Sequence, residues 1–369
     1  MRAVELALEQ VLQTARQLGA SDIHLKVGLP PVFRLKGDLR TVRDVPPFTD
    51  EALRSFAERM MTARQKEAFE RSNDVDLAFT DERGGRYRVN IFRQRGHFGL
   101  AMRIIATEMP PFERLNLPEV VLKIAEEQRG LVLVTGATGS GKSTTLAAMI
   151  DYINSRRPAH ILPIEDPIEY LHRDRLSVVN QRELDSDTTT FARALRAALR
   201  QDPDVILVGE MRDVETIEVA LTAAETGHLV FSTLHTIDAV ETVSRIVTNF
   251  PPHQHQQIRI QLAGVLRAVV SQRLVSRADG KGLVPAVEVL VTTQRVRELI
   301  ENPARTKEIH DAIAAGKNPY GMVTFDQSLA DLVQRRLVTY DEALANSSKP
   351  DDFALTFRGF AQTGGPTSK

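Results

Sequence analysis

One stretch, residues 136–143, constrains this chain more than any other. It has the sequence Gly-Ala-Thr-Gly-Ser-Gly-Lys-Ser and matches the P-loop template, in which a glycine, four residues and Gly-Lys-Ser follow one another. Residues 131–134, just before it, form an apolar β-branched run typical of a buried strand, and residues 144–150 predict a helix. We therefore expect a nucleotide phosphate to bind where this strand passes into the helix.

The residues of this loop have distinct expected roles. The glycines let backbone N–H groups face a phosphate, the Lys142 ammonium would neutralise the β- and γ-phosphates, and the Ser143 hydroxyl would bind Mg²⁺. We thus expect ATP and Mg²⁺ as cofactors. The predicted nucleotide-binding residues are Gly136, Ala137, Thr138, Gly139, Ser140, Gly141, Lys142, Ser143 and Thr144. The alternative is a chance glycine-rich turn, which the flanking strand and helix disfavour.

Composition excludes several other classes of protein. The 47 Lys and Arg residues are balanced by 48 Asp and Glu residues, so no overall basic charge attracts nucleic acid. The absence of cysteine excludes disulfides, a cysteine-ligated zinc site and a thiol nucleophile. Residues 1–18 predict an amphipathic helix and not a signal peptide. No stretch has the ~18 apolar residues of a membrane span, so we expect a cytoplasmic protein that reaches a membrane through a partner.

Two domains and a proline-marked linker are expected. The first, residues 1–105, is a small α+β domain. Its predicted elements are helices over 1–18 and 51–69 and strands over 21–27, 32–35, 75–79, 86–92 and 100–105. Residues 106–118, which contain three prolines, are the predicted linker. Residues 119–360 form the second domain, and residues 361–369 are an expected disordered tail.

Strands and helices alternate along the second domain, which predicts an α/β fold with a parallel sheet. The predicted strands are 131–134, 160–164, 205–208, 229–233 and 284–291. The predicted helices are 141–153, 188–200, 214–226, 238–248, 254–274, 294–301, 306–314, 325–335 and 340–346. Ligands of such sheets bind beyond the carboxyl ends of the strands. Residues that follow a strand are therefore the candidates to assist the P-loop.

Glu210 is the first of these candidates. Asp204 and Glu210 flank the strand 205–208 and lie about 20 Å apart at ~3.3 Å per residue, so only one can reach the nucleotide. Glu210, at the carboxyl end, would polarise the attacking water or hold Mg²⁺ through a water molecule. A solvated loop acid is the alternative role for Glu210, and Asp204 is interpreted as a structural residue at the start of the strand.

Three carboxylates follow the strand 160–164, at Glu165, Asp166 and Glu169. Such a group suits the activation of water near Mg²⁺, and Pro167 could turn Glu169 back toward the phosphates. An acidic turn without a catalytic role is the alternative.

Histidines bound the strand 229–233. His235 lies at the carboxyl end, within reach of a γ-phosphate. The pattern alone makes His228, at the other end, a structural hydrogen-bonding residue. One strand cannot bring both histidines to one metal ion, so the pair is not expected to bind a metal.

Arginines could supply further positive charge. Arg193, Arg196 and Arg200 share one face of a predicted helix, and Arg86 and Arg88 share one face of a strand in the small domain. Ring ATPases use such cations as arginine fingers. Ordinary surface residues and a basic surface for nucleic acid are the alternatives.

Four linked motifs resemble those of the secretion and pilus motor ATPases. Residues 136–144 resemble their Walker A motif, 164–170 (IEDPIEY) their Asp box, 195–213 their Walker B region and 226–236 (TGHLVFSTLHT) their His box. The small domain is similar as well, through 20–25, 28–39 and 86–96. The resemblance covers nearly all of the chain and is greatest to the type IV pilus retraction ATPases. Extension and type II secretion ATPases usually carry an extra N-terminal domain and a four-cysteine insert, neither of which is expected in this chain, and this favours the retraction branch.

The resemblance implies a hexameric ring. Each subunit would have a PAS-like N-terminal domain and a RecA-like ATPase domain, with ATP between them and with help from the neighbouring subunit. Glu169 would be the general base and Glu210 the Walker B glutamate. The other catalytic residues that it implies are Lys142, His228, His235, Arg88, Arg103, Arg196 and Arg200.

The expected function is an ATP-driven motor that retracts type IV pili, with residues 106–118 as the hinge between its domains. Its expected partners are other copies of the chain, an inner-membrane pilus platform protein and a paralogous motor ATPase. It would be peripheral at the inner membrane, and no nucleic acid is expected to bind. The alternatives are an extension or type II secretion ATPase and a RecA-like ATPase that depends on nucleic acid.

Overall fold

The computed structural model describes residues 8–43, 45–105 and 109–355. The chain divides into two compact units, residues 1–108 and 109–369. Of the predicted linker, residues 109–118 fall in the second unit and include one turn of 3₁₀ helix, Phe112–Arg114. Residues 1–7 of the first predicted helix, residues 106–108 of the linker and the tail 361–369 lie outside the described residues.

The first unit is built on an antiparallel sheet. In chain order its elements are α1 (Leu8–Gln17), β1 (Asp22–Lys26), β2 (Val32–Leu35), β3 (Asp38–Thr41), α2 (Asp50–Met60), α3 (Ala63–Ser72), β4 (Asp74–Thr80), β5 (Arg86–Gln94) and β6 (His97–Ile105). The strands lie in the order β3-β2-β1-β6-β5-β4. Alternate residues of the central strands, such as Ile23 and Val89, are fully buried beneath the helices. The other face of these strands carries polar side chains, as the alternation predicts.

The single helix predicted over 51–69 is wrong, because the chain leaves the helical conformation at Met61 (φ −87°, ψ 133°). Thr62 then begins α3 with a capping box: its hydroxyl accepts the Gln65 N–H, and the Gln65 side chain accepts the Thr62 N–H. The apolar spacing continues across this break, so periodicity alone did not reveal it. Strand β3 was also not predicted.

The second unit contains a larger sheet covered by helices. Its elements up to the Walker B region are α4 (Val120–Ala125), β7 (Gly130–Thr135), α5 (Lys142–Asn154), β8 (His160–Glu165), β9 (Val178–Val179), β10 (Arg182–Glu183), α6 (Phe191–Ala198) and β11 (Val205–Val208). The remaining elements are α7 (Val214–Glu225), β12 (Leu229–Leu234), α8 (Ala239–Thr248), α9 (His255–Val265), β13 (Leu266–Ser276), β14 (Leu283–Val291), α10 (Gln294–Glu301), α11 (Ile309–Ala315), α12 (Phe325–Gln334) and α13 (Tyr340–Asn346).

The strands of this sheet lie in the order β10-β8-β11-β12-β7-β13-β14, and β9 also pairs with β8. All of these pairs are parallel except β13 with β14. Every residue of β7, β11 and β12 is buried, because helices cover both faces of the sheet. The parallel α/β sheet that the alternation predicted is therefore present.

The long helix predicted over 254–274 is wrong in its second half. Helix α9 ends at Val265, and Leu266 (φ −60°, ψ 130°) begins the strand β13. This segment contains Val269 and Val270, whose branched side chains favour a strand. Pairing with β7 on one side and β14 on the other then determines its conformation.

Within residues 8–43, 45–105 and 109–355, no helix is both long enough and apolar enough to cross a bilayer.

Candidate nucleotide-binding site

Four adjacent parallel strands bring the predicted motifs to one edge of the sheet. The strands β8, β11, β12 and β7 lie side by side in that order. Their carboxyl ends lead to Glu165, Glu210, His235 and the P-loop. Backbone pairing continues beyond the strands, since the Gly136 N–H donates to the Leu234 carbonyl at 3.3 Å. The loops that carry the motifs therefore begin at one level of the sheet.

The P-loop has backbone angles that favour glycine. Gly136, Gly139 and Gly141 have φ values of +142°, +80° and +91°. A Cβ at Gly136 would also collide with the Gln272 carbonyl oxygen and the Ser140 hydroxyl. Both conformation and space therefore require glycine at residue 136.

The Ser140 hydroxyl, a hydrogen-bond donor beside this loop, suits a ligand rich in oxygen. Among the described residues, the Ser140 hydroxyl and the Gln272 amide oxygen are buried and lack a hydrogen-bond partner. Buried polar groups are normally paired. A phosphate in the loop would give the Ser140 hydroxyl an acceptor, and the loop N–H groups and the start of α5 favour an anion. The Ser143 hydroxyl and the Glu210 carboxylate are oxygen donors of the kind that Mg²⁺ prefers.

Lys142 is buried at the first position of α5, where its ammonium contacts the loop itself. Its Nζ donates to the carbonyls of Gly136 at 2.8 Å and Ala137 at 2.9 Å. Removal from water lowers the pKa of Lys142, and the charges of Glu210 and Glu169 oppose this shift. Both predicted catalytic carboxylates are therefore near enough to act on the P-loop lysine.

Glu210 lies between two basic side chains. Its Oε1 is 3.0 Å from His235 Nε2, and its Oε2 is 2.7 Å from an Arg212 guanidinium nitrogen. Burial raises the pKa of Glu210, but the hydrogen bond from Arg212 and the interactions with His235 outweigh it, so the pKa is lowered. The carboxylate is thus ionised and ready to bind a cation or a water. The sequence reasoning found Glu210 and His235 but missed Arg212, because arginines close to a strand end are common on surfaces.

The segment after β8 places the Asp box beside the P-loop helix. The Tyr170 hydroxyl hydrogen-bonds the Thr144 hydroxyl of α5 at 2.9 Å. Glu169, the residue before Tyr170, is exposed, and its charge acts on Lys142. Glu165 lies deeper, and removal from water raises its pKa to about 7. The exposed Glu169 is thus better placed than Glu165 to meet a water molecule.

His228 lies at the opposite end of the sheet. Its backbone carbonyl accepts the Gly130 N–H at the start of β7, and its Nδ1 donates to the Ala223 carbonyl at 2.9 Å. The structure therefore does not bring His228 to the P-loop of its own chain. These hydrogen bonds match the structural role that the pattern alone predicted.

Within the second unit, Arg196 of α6 and Arg200, two residues beyond the end of α6, are not among the contacts of the P-loop described above. Arg196 forms an ion pair with Glu215, and Arg200 is exposed. In the first unit, Arg103 donates to Asp22 at 2.9 Å. Arg88, on the neighbouring strand, is opposite Arg103 in the register and is exposed. These two arginines share one face of that sheet.

A cavity of about 240 Å³ opens beside the P-loop within the second unit. Gly141, Thr144 and Thr145 line the side that faces the loop, and Arg114 and Asn116 line another. Gln272 and Arg277 also line the cavity. The rest of the lining is apolar and consists of Leu115, Leu117, Leu274, Leu283 and Pro285. An apolar cavity with a few polar groups suits a flat heterocycle. The sequence reasoning did not predict this cavity, because its lining comes from three distant segments.

A glycine loop that cradles phosphate, a buried lysine and acidic strand ends together define a P-loop ATPase built on a RecA-like sheet. Comparison with known proteins agrees. The family model described as "Type II/IV secretion system protein" matches residues 1–348. The chain belongs to this family, in its branch of type IV pilus retraction ATPases.

Individual relatives support this assignment. The retraction ATPase PilT of Pseudomonas aeruginosa is 43% identical over 94% of this chain and 99% of its own length. The pilus ATPase PilU of the same species is 39% identical over 96% of this chain and 92% of its own length. The crystal structure of the retraction motor PilT with bound ADP has a TM-score of 0.87 and 44% identity, over 94% of this chain and 98% of that one. The predicted fold class is confirmed.

Proposed function

We propose that the chain hydrolyses Mg²⁺-ATP as a subunit of a hexameric ring and that this hydrolysis drives retraction of type IV pili. The observation that carries the proposal is the meeting of Lys142, Glu210 and Glu169 at one sheet edge in a chain so similar to PilT. The ring would act at the cytoplasmic side of the inner membrane, on a pilus platform protein. A paralogous motor ATPase would be a further partner.

Residues of the second unit would perform the chemistry. The P-loop N–H groups and Lys142 bind the phosphates and stabilise the charge that develops on them. Glu169 accepts a proton from the attacking water, and Glu210, fixed by His235 and Arg212, orients that water. Ser143 and Glu210 would hold Mg²⁺, Glu210 through a water. The bound ion would supply further charge stabilisation at the phosphates.

The cavity beside the P-loop would receive the nucleoside. Its leucines suit the faces of an adenine ring. The Asn116 amide at the same wall already donates to the Arg114 carbonyl and accepts from Arg335. Of the two arginines that line the cavity, Arg277 is paired with Asp279, so Arg114 would supply the positive charge. ATP would thus be bound by its phosphates and by its base.

Other predicted residues would act from a different unit or subunit. Arg88 and Arg103 lie on the first unit, and exchange of the Asp22 contact for a phosphate would let Arg103 act as an arginine finger. Residues 106–118 would be the hinge that changes the angle between the units. Arg196 and Arg200 are not grouped with the P-loop of this chain, and they would assist a neighbouring subunit, while His228 would hold the start of β7.

The first test is Glu210→Ala in the purified protein. It should abolish ATP hydrolysis, because the water and Mg²⁺ lose their ligand, while a fluorescent ADP analogue still binds through the P-loop. Glu218→Ala, an exposed glutamate on the neighbouring helix α7, is the matched control and should keep more than half of the turnover. Undiminished hydrolysis by Glu210→Ala would refute the assignment of Glu210.

The same variant tests the biological role. Cells that carry only Glu210→Ala should make pili, fail to retract them and accumulate more than the wild type does. Cells without any pili would instead point to an extension motor. Salt-dependent micromolar binding of single-stranded DNA by the purified protein would favour the nucleic-acid alternative.

A further inference from the structure

The Asp-box segment, residues 165–172, has little regular structure of its own. Strand β8 ends at Glu165, and the residues from Asp166 to His172 follow as bends and irregular backbone. A segment of this kind keeps one conformation only if other groups satisfy its backbone. These groups come from the very short strand β10 and the residue before it.

Gln181, which immediately precedes β10, contacts this segment at three points. Its Nε2 donates to the Tyr170 carbonyl at 2.8 Å and to Glu165 Oε1 at 3.1 Å. Its Oε1 accepts the His172 N–H at 2.8 Å. One amide side chain therefore holds both ends of the segment.

These contacts extend to Glu169 through its neighbours. The backbone N–H of Glu169 lies close enough to the Glu165 carboxylate, which Gln181 orients, to lower the pKa of that carboxyl. On the other side, Tyr170 is fixed at its carbonyl by Gln181 and at its hydroxyl by Thr144 of α5. The residue that follows Glu169 is thus held at two points.

A second side chain of β10 reinforces the arrangement. Glu183 is 5% exposed, and its Oε2 accepts the Ile168 N–H at 3.0 Å. Gln181 and Glu183 are two residues apart and so point to the same side of an extended chain. That spacing explains why so short a strand suffices, since Glu183 of β10 and Gln181, just before the strand, both hold the Asp-box segment.

We propose that Gln181 is a positioning residue for ATP hydrolysis, which holds the Asp-box segment so that Glu169 faces the attacking water. The inference rests on the proposed role of Glu169 as the base. Gln181 does not touch the nucleotide-binding loop, so it acts on the rate of the chemical step and not on binding. A displacement of a catalytic group by ~1 Å can lower a rate about 100-fold.

The test compares Gln181→Ala with Asn180→Ala in the full-length protein. Asn180 carries the same amide group one residue earlier, but its Nδ2 contacts His160 Nε2 at 2.8 Å and not the Asp-box segment. Gln181→Ala should lower kcat about 10- to 100-fold and change KM and the affinity for a fluorescent ADP analogue less than about twofold. Asn180→Ala should have wild-type kcat and KM.

Gln181→Glu is a second variant that keeps the size of the side chain. At pH 8 its carboxylate cannot donate to Tyr170 or Glu165, so kcat should fall as it does in Gln181→Ala. As the pH is lowered the introduced carboxyl gains a proton and can donate again, so the ratio of its kcat to that of the wild type should rise. A merely structural loss would leave that ratio constant.

Glu169→Gln, measured in parallel, separates the two proposals. Wild-type turnover by Glu169→Gln would refute the role of Glu169 itself. If Glu169→Gln is inactive, wild-type kcat in both Gln181 variants, or an equal fall in kcat and ADP affinity, would overturn the positioning role. Should Gln181→Ala fail to fold, the isosteric Gln181→Glu decides the matter alone.

Discussion

Replacing Glu165 by glutamine is predicted to stabilise the protein relative to the wild type, and the stabilisation should increase as the pH rises. Removal from water raises the pKa of this carboxyl to about 7, and the charges of Glu169 and Glu183 act in the same direction. Hydrogen bonds from Gln181 and from the Glu169 N–H oppose the shift without cancelling it. The folded protein therefore resists ionisation of Glu165, whereas the unfolded chain does not.

The sign and size of the effect follow from these pKa values. Below pH 4.5, the ordinary pKa of a glutamate, the carboxyl is protonated in both states and destabilises neither. Between pH 4.5 and about 7 the unfolded chain alone ionises, so the folded state loses stability as the pH rises. A change of one in a pKa corresponds to about 1.4 kcal/mol, so the free energy of unfolding falls by about 3 kcal/mol at most. Solvent screening at the half-buried side chain makes the fall somewhat smaller.

The assay is urea unfolding of the wild type and of Glu165→Gln at pH 5, 6, 7 and 8. The difference between the two free energies of unfolding cancels most other titrating groups, and it should move in favour of the variant by about 2–3 kcal/mol over this range. Glu218→Gln, an exposed glutamate on α7, is the control for the change of side chain. A difference for Glu165→Gln that stays constant with pH would refute the reasoning.

Two further substitutions test other features. Gly136→Ala should abolish binding of a fluorescent ADP analogue, because the new methyl group collides with Gln272 and Ser140. The control is Gly264→Ala, which should bind the analogue normally because a Cβ there meets nothing within 4 Å. Binding of the analogue by Gly136→Ala would contradict the loop geometry. The Glu288 carboxylate, 3.8 Å from His310, raises the pKa of that histidine above 6.5. His310→Gln should therefore destabilise the protein below pH 6.5, and this destabilisation should disappear as the pH rises through the pKa of His310 in the folded protein. Thermal melts of both proteins at pH 6 and 9 would measure it. An equal loss of stability at both pH values would contradict the prediction.

The nucleotide site could be predicted from sequence because its parts follow strands. Each of β7, β8, β11 and β12 is a short apolar run that leads directly into one of the motifs. Parallel strands place such residues at one edge, so Glu210 and His235 could be assigned to the P-loop before any coordinates. The same rule placed His228 at the far end, as the structure does.

The errors arose where tertiary contacts decide the conformation. The segment 266–276 continues the apolar pattern of α9, so its spacing predicts a longer helix. The segment forms a strand because it pairs with β7 along the side that β12 does not occupy. Strand β10 has only two residues, which is too short for any periodic pattern. Arg212 acts through a bond to one side chain, that of Glu210, and Gln181 acts mainly through bonds to an irregular backbone segment. Neither kind of contact can be predicted from the spacing of residues in the sequence.

The hydrogen bonds of Lys142 and Glu210 have a consequence for the later part of a catalytic cycle. Lys142 binds two carbonyls of its own loop, and Glu210 binds His235 and Arg212. The phosphates of a nucleotide must replace the two carbonyl partners of Lys142, whereas Glu210 keeps His235 and Arg212, so the net affinity for the nucleotide is the difference between two sets of hydrogen bonds to Lys142. When the product leaves, Lys142 recovers its partners within the chain. This exchange lowers the free-energy cost of product release. The bonds within the chain also reform before the next ATP binds.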